Sequence, residues 1–144
     1  MASAETTEVF NCTKDEFFKI ISDYEKYPEF LAEVKECSVV ETDGDKKLVK
    51  YSVSVIKSFS YQLWMKEEGT DKISWVFDSG DIFKLSNGSW ELKEVDGGKV
   101  QAHYKVEAKF KGFVPSPIAK GLVSVNLPNM ISSYHKRIKE VYGK

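Results

Sequence analysis

The chain has 144 residues and a formal net charge of −1, with 42% hydrophobic, 30% charged and 13% aromatic residues. These values are typical of one globular domain, here residues 1–144, and they exclude a disordered or low-complexity chain. No run approaches the ~20 apolar residues of a membrane-spanning helix, and the amino-terminal residues do not resemble a signal peptide, so we expect a cytoplasmic protein.

Charge is unevenly distributed along the chain. Residues 1–98 hold 12 basic and 20 acidic side chains, whereas residues 99–144 hold 9 basic and 2 acidic ones. The basic final third forms either a solvated surface or a site of transient contact with an anionic membrane. Arg137 is the only arginine. Because bidentate recognition of guanine or phosphate uses the guanidinium group, sequence-specific binding of nucleic acid is not expected.

The cysteines and histidines are few and widely spaced. Cys12 and Cys37 are expected to be reduced thiols, and His103 and His135 lie far from them in sequence. Metal sites need clustered ligands at short, regular spacings. We therefore expect no metal and no cofactor.

The amino-terminal quarter predicts one strand and two short helices. The strand is expected near residues 5–11, and Thr13 with Glu16 then forms a capping box at the start of a short amphipathic helix. A second short helix is predicted over residues 27–31, with Pro28 in its first turn.

From Val34 to about Phe110 the apolar residues recur at every second position. This period predicts antiparallel strands with one buried and one solvent-exposed face. Trp64 breaks the alternation and is expected on the exposed face. Asn87-Gly88, where the alternation changes phase, is predicted to form a β-bulge. The residues predicted to lie on the buried face are Tyr51, Val53, Val55, Phe59, Tyr61, Leu63, Met65, Ile73, Trp75, Phe77 and every second residue from Val100 to Phe110.

The carboxyl-terminal part predicts one long helix. Ser116 is its expected N-cap and Pro117 its first residue, and Pro128 is expected to kink it near the middle. One apolar stripe consists of Ile118, Leu122 and Val125 and is continued by Asn129; the second consists of Leu127, Ile131, Tyr134, Ile138 and Val141 with Tyr142.

Together these elements predict an α+β helix-grip fold. A curved seven-stranded antiparallel sheet is expected to wrap around the long C-terminal helix, with two short helices between strands 1 and 2. One helix is too narrow to fill the concave face of so wide a sheet. A cavity is therefore expected between helix and sheet.

Two motifs carry a resemblance to a known family. They are residues 23–31, with the sequence DYEKYPEFL, and the F-x-L-x-x-G-x-W pattern of Phe83, Leu85, Gly88 and Trp90. Both are similar to the START-like, helix-grip superfamily, and above all to its polyketide cyclase/dehydrase branch, which includes coenzyme Q-binding proteins and bacterial ribosome-association toxins. The resemblance implies this fold and a hydrophobic ligand such as a quinone, a lipid or a polyketide-like ring system. It does not define the activity, because one fold supports many functions.

The residues themselves predict a ligand site made of rings with a few hydrogen-bonding groups. No nucleophile is predicted beside a base, and both histidines are expected at the surface, so we assign no catalytic residue and favour binding over catalysis. The predicted ligand-binding residues are Tyr51, Val53, Tyr61, Leu63, Trp75, Phe77, Tyr104, Leu122, Val125, Asn129 and Tyr134. Phe113 and Val114, in the loop before the last helix, are predicted at the cavity entrance.

We therefore expect a protein that binds or carries a hydrophobic small molecule. One alternative is an enzyme of the cyclase or aromatase type, in which tyrosine hydroxyls orient a polyketide. A second is a ribosome-associating regulator whose basic final third meets RNA phosphates.

Overall fold

The computed structural model describes residues 2–54 and 57–144, so the predicted inward position of Val55 lies outside the described residues. Seven antiparallel strands form one sheet in the order β1-β7-β6-β5-β4-β3-β2. The strands are β1 (Ala2–Phe10), β2 (Val34–Asp43), β3 (Lys46–Ser54), β4 (Ser58–Glu68), β5 (Lys72–Gly80), β6 (Phe83–Val95) and β7 (Lys99–Phe110). The sheet curves around a long C-terminal helix, which confirms the predicted helix-grip fold.

The alternation of apolar residues correctly predicted which face of the sheet is buried. Tyr51, Leu63 and Ala102 lie on three different strands, and all are buried on the side that faces the C-terminal helix. Trp64 lies on the opposite face, as expected, where its indole Nε1 donates a hydrogen bond to Asp78 Oδ1 at 3.2 Å. The sheet therefore has one solvent-exposed face and one face packed against the core.

Two short helices connect β1 to β2. Helix α1 (Lys14–Ser22) begins with the predicted capping box: the Glu16 amide donates to Thr13 Oγ1 at 3.1 Å, and the Thr13 amide donates to Glu16 Oε1 at 2.9 Å. A 3₁₀ helix (Tyr24–Glu29) follows, so the second helix begins earlier than predicted. Pro28 consequently lies near its end and not in its first turn.

The predicted bulge at Asn87-Gly88 is wrong. The pairing of β6 with β7 is continuous there, and the register shift lies between Phe83 and Leu85. What ends at Gly88 is the pairing of β6 with β5, whose last pair joins Trp75 to Gly88. The change in the alternation of apolar residues along β6 therefore reflects the register shift between Phe83 and Leu85.

The long helix consists of three consecutive segments. Helix α2 (Ser116–Lys120) leads into a π-helical turn (Gly121–Val125), and helix α3 (Leu127–Tyr142) completes it. Ser116 is the first helical residue and not the predicted N-cap, a position held by Pro115. No helix among the described residues is long and apolar enough to cross a membrane.

The aromatic core lies at one end of the space between sheet and helix. The Trp90 ring centroid lies 5.4 Å from that of Phe17, 6.4 Å from that of Phe10 and 5.4 Å from that of Tyr134. These rings come from β6, α1, β1 and α3, and they join the helices to the sheet. The space further along the helix is not filled in the same way.

Candidate ligand-binding site

An apolar cavity of about 160 Å³ lies between the inner face of the sheet and the first half of the C-terminal helix. Its walls come from β2 to β7, from the 3₁₀ helix and the segment that follows it, and from the long helix between residues 121 and 134. An engineered cavity of ~150 Å³ in another protein binds benzene. The present volume therefore suits about one aromatic ring without rearrangement.

Most of the residues predicted for the ligand site line this cavity. They come from four strands and from two segments of the long helix, and sheet curvature brings them together. The predicted residues that line it are Tyr51, Val53, Tyr61, Leu63, Trp75, Tyr104, Leu122 and Tyr134.

Tyrosines supply hydrogen-bonding groups in a mainly apolar wall. The Tyr51 hydroxyl donates a weak 3.5 Å hydrogen bond to Met65 Sδ. The side chains of Tyr61 and Tyr104 also line the cavity. Burial raises the pKa of both phenols. Both are consequently neutral hydrogen-bond donors at physiological pH.

Two predicted helix residues do not face the cavity. Val125 is 67% exposed, and Asn129 is exposed as well. The prediction assumed a regular α-helix, whereas the π-helical turn has an extra residue that rotates the following side chains. The residues that line the cavity after Leu122 and Val123 are Asn126 and Leu127, and not Val125.

Phe77 also lies outside the cavity wall. Its ring centroid is 6.3 Å from that of Phe83, and it packs against a second, smaller apolar cluster at the far end of the sheet. The pairing of β5 with β6 ends at Trp75 and Gly88. Two residues further along β5, the Phe77 amide donates instead to the Asn87 side-chain oxygen at 3.3 Å. Phe77 thus packs beside the lining residue Phe83 without lining the cavity itself.

The two residues predicted at the entrance have different environments. Phe113 is 70% exposed, whereas Val114 packs against the smaller apolar cluster. Neither residue lines the cavity.

The prediction missed several lining residues, of which Glu33 is chemically the most informative. Glu33 lies between the 3₁₀ helix and β2, outside every periodic segment, so no apolar pattern drew attention to it. Met130 and Asn126 were missed because the stripe was extended through the π-helical turn without a phase change. Trp90 also contributes to the wall, in addition to its packing in the aromatic core.

The cysteines and histidines do not line the cavity. Burial is the largest cause that raises the pKa of Cys12 to about 11 and of Cys37 to about 12, so both thiols are poor nucleophiles at neutral pH. His103 contacts Thr7 Oγ1 and Glu5 Oε2, both at 2.7 Å, on the outer face of the sheet. Within residues 2–54 and 57–144, no cluster of three or more histidine, cysteine or acidic residues could hold a metal ion.

Known structures share this architecture over nearly the whole chain. A START superfamily protein from Mycobacterium smegmatis superposes with a TM-score of 0.85 at 18% identity, covering 96% of this chain and 98% of that one. The Zhui aromatase/cyclase from Streptomyces sp. R1128 gives a TM-score of 0.82 at 12% identity, covering 99% of this chain and 97% of that one. A protein from Thermus thermophilus gives a TM-score of 0.79 at 13% identity, covering 96% of this chain and 95% of that one.

Sequence comparison identifies the family. No curated protein sequence matches the chain significantly. The sequence profile described as polyketide cyclase/dehydrase and lipid transport, however, matches residues 12–133. This match runs from just before α1 into α3 and includes every lining residue of the cavity except Tyr134. The chain therefore belongs to the polyketide cyclase/dehydrase and lipid transport family.

Proposed function

We propose that this protein binds and carries a small hydrophobic molecule that contains a ring. The observation that carries the proposal is the cavity of about 160 Å³, which has mainly apolar walls and includes the tyrosines Tyr61 and Tyr104. An apolar pocket with a few fixed polar groups is the usual composition of a small-molecule site. The family description, which includes lipid transport, supports the same function.

Ligand size follows from the cavity volume. Pockets for drug-sized ligands usually measure ~300–1,000 Å³, so a molecule larger than about one ring needs additional space. The π-helical turn between α2 and α3 forms part of the wall, through Gly121, Leu122 and Val123. Such turns are frequent at functional sites. We expect a larger ligand to displace this segment more readily than the sheet.

The function can be tested by native mass spectrometry of the purified protein, followed by organic extraction of the bound molecule. Val106→Phe, on the inner face of β7, should fill the cavity and abolish co-purification of the ligand. Val76→Phe is the matched control, because Val76 is 53% exposed on the outer face of the sheet. Loss of the ligand in both variants, or in neither, would contradict the proposal.

An enzyme of the cyclase type is the second candidate. The family description favours it, and the inward hydroxyls of Tyr61 and Tyr104 are suitable groups for orienting a carbonyl-rich chain. Turnover distinguishes the two functions: a carrier releases the extracted molecule with its mass unchanged, whereas a cyclase releases water and a smaller product.

We further propose that ligand enters from an anionic membrane surface past Phe113. This side chain is 70% exposed, and Lys109 and Lys120, which flank its loop in sequence, are also exposed. An exposed aromatic ring near lysines suits contact with anionic lipid. Phe113→Ser is expected to slow ligand uptake from anionic vesicles by roughly threefold or more, since it removes an apolar contact worth ~1–2 kcal/mol.

Stopped-flow fluorescence with vesicle-loaded ligand measures this rate. Val40→Ser is the matched control, because Val40 is 50% exposed on β2 and does not belong to the proposed entrance. Equal uptake from anionic and neutral vesicles, together with an unchanged rate in Phe113→Ser, would rule out this entrance.

A further inference from the structure

Glu33 is a carboxylate in the wall of an apolar cavity. It follows the buried Leu31 and precedes the buried Val34, both of which line the same cavity. Its backbone carbonyl accepts a hydrogen bond from the Ser54 amide at 2.8 Å, and the Val34 amide donates to the Leu31 carbonyl at 3.0 Å. The first bond joins the segment to β3, and the second closes a turn within it. Glu33 is therefore held at the cavity by the fold.

Among the described residues, Glu33 takes part in no ion pair. The nearest lysine in sequence, Lys35, donates instead to the Ala32 carbonyl oxygen at 2.9 Å. In the described part of the chain, no lysine, arginine or histidine lines the cavity. The site thus has one acidic group and no basic group.

The charge of Glu33 contributes to the raised pKa values of two tyrosines in the cavity wall. Burial is the main cause that raises the pKa of Tyr104, and the negative charge of Glu33 raises it further. Burial and the neighbouring Tyr104 raise the pKa of Tyr61, with a smaller contribution from Glu33. Glu33, Tyr61 and Tyr104 all line the same cavity. The Glu33 carboxylate would therefore disfavour a second negative charge placed there.

We propose that Glu33 makes the cavity selective for a ring-bearing amine and excludes ring-bearing carboxylates. The ring enters the apolar interior, and the protonated amine forms an ion pair with the Glu33 carboxylate at the wall. This inference rests on the proposed function, because it assigns a ligand class to the same cavity. Since Glu33 is only half-buried, its carboxylate keeps part of its hydration until a ligand arrives.

Three probes of similar size separate the contribution of charge from that of the ring. Phenethylamine, phenethyl alcohol and hydrocinnamate each carry one benzene ring, with a positive, a neutral and a negative end at neutral pH. Binding is followed by NMR through the indole N–H signals of the three tryptophans. Trp75 and Trp90 line the cavity and should shift, whereas Trp64 lies on the outer face and should not.

The wild-type protein is expected to bind phenethylamine at least about tenfold more tightly than hydrocinnamate, the size of a partly screened charge interaction at a half-buried site. Glu33→Gln should reduce this ratio to within about threefold and leave the affinity for phenethyl alcohol nearly unchanged. Glu33→Asp, which keeps the charge, should retain the preference. Glu36→Gln is the matched control, because Glu36 is exposed on β2 and does not line the cavity.

The outcomes distinguish the two proposals. If phenethyl alcohol binds but the wild-type protein prefers neither charged probe, the assignment of Glu33 is overturned and the binding function stands. If the preference persists in Glu33→Gln, Glu33 is not its source. If no probe shifts Trp75 or Trp90 in the wild-type protein, the cavity is not a ligand site, and both proposals fail.

Discussion

Replacing Trp90 by alanine is expected to lower the free energy of unfolding by about 3–5 kcal/mol, the usual cost of removing a large buried side chain. Trp90 is 3% exposed, and its ring centroid lies 4.7 Å from that of Tyr104 and 5.4 Å from that of Phe17. The substitution therefore removes a contact shared by β6, β7 and α1. Chemical denaturation monitored by far-ultraviolet circular dichroism measures the loss.

Trp64→Ala is the matched control for this prediction. Trp64 lies on the outer face, and its main polar contact is the bond to Asp78, so its removal should cost less than about 1 kcal/mol. A Trp90→Ala protein with near-native stability and lost ligand affinity would show that Trp90 binds the ligand and does not stabilise the core.

Gly88→Ala is expected to destabilise the protein by about 2–3 kcal/mol and to weaken ligand binding as well. A Cβ atom built on Gly88 would lie 2.5 Å from the Lys105 carbonyl oxygen and 2.6 Å from Cε2 of Trp75. Both distances are far below van der Waals contact, and overpacking of this kind costs ~1–3 kcal/mol. Because Trp75 lines the cavity, the displaced indole would also change the shape of the ligand site.

Gly112→Ala provides the comparison, since a Cβ atom there meets nothing within 4 Å. Its stability should match that of the wild-type protein in the same denaturation experiment. If Gly88→Ala is equally stable, the close packing of Trp75 on β6 does not constrain the fold.

Features set by local chemistry were predictable from the sequence. The period-two pattern assigned Tyr51, Tyr61 and Tyr104 to the inner face because successive residues of a strand point to opposite sides. The capping box at Thr13 was predictable for a similar reason, as it depends on two residues three positions apart. Neither inference required knowledge of tertiary contacts.

Features that depend on the whole fold were not predictable in the same way. The π-helical turn has no pattern of its own in the apolar stripe, so Val125 and Asn129 were assigned to the wrong face. Glu33 was missed because a carboxylate in a connecting segment normally faces solvent. Only the curvature of the sheet brings that segment against the cavity.

The position of β1 in the sheet has a consequence for the kinetics of folding. All strands from β2 to β7 pair with their neighbours in sequence, whereas β1 pairs with β7, so that Phe10 lies opposite Val100 and Ala2 opposite Ala108. Closing a loop of ~100 residues costs roughly 2 kcal/mol more entropy than closing one of ten. We therefore expect the meander formed by β2 to β7 to form first and β1 to pair with β7 late, at a rate limited by this high contact order.

On a ribosome that adds ~5–20 residues per second, β1 would wait about 5–20 s for its partner strand to be synthesised. Its polar residues at alternate positions, Ser3, Glu5 and Thr7, are suited to this delay, because they limit aggregation of a strand that is still unpaired.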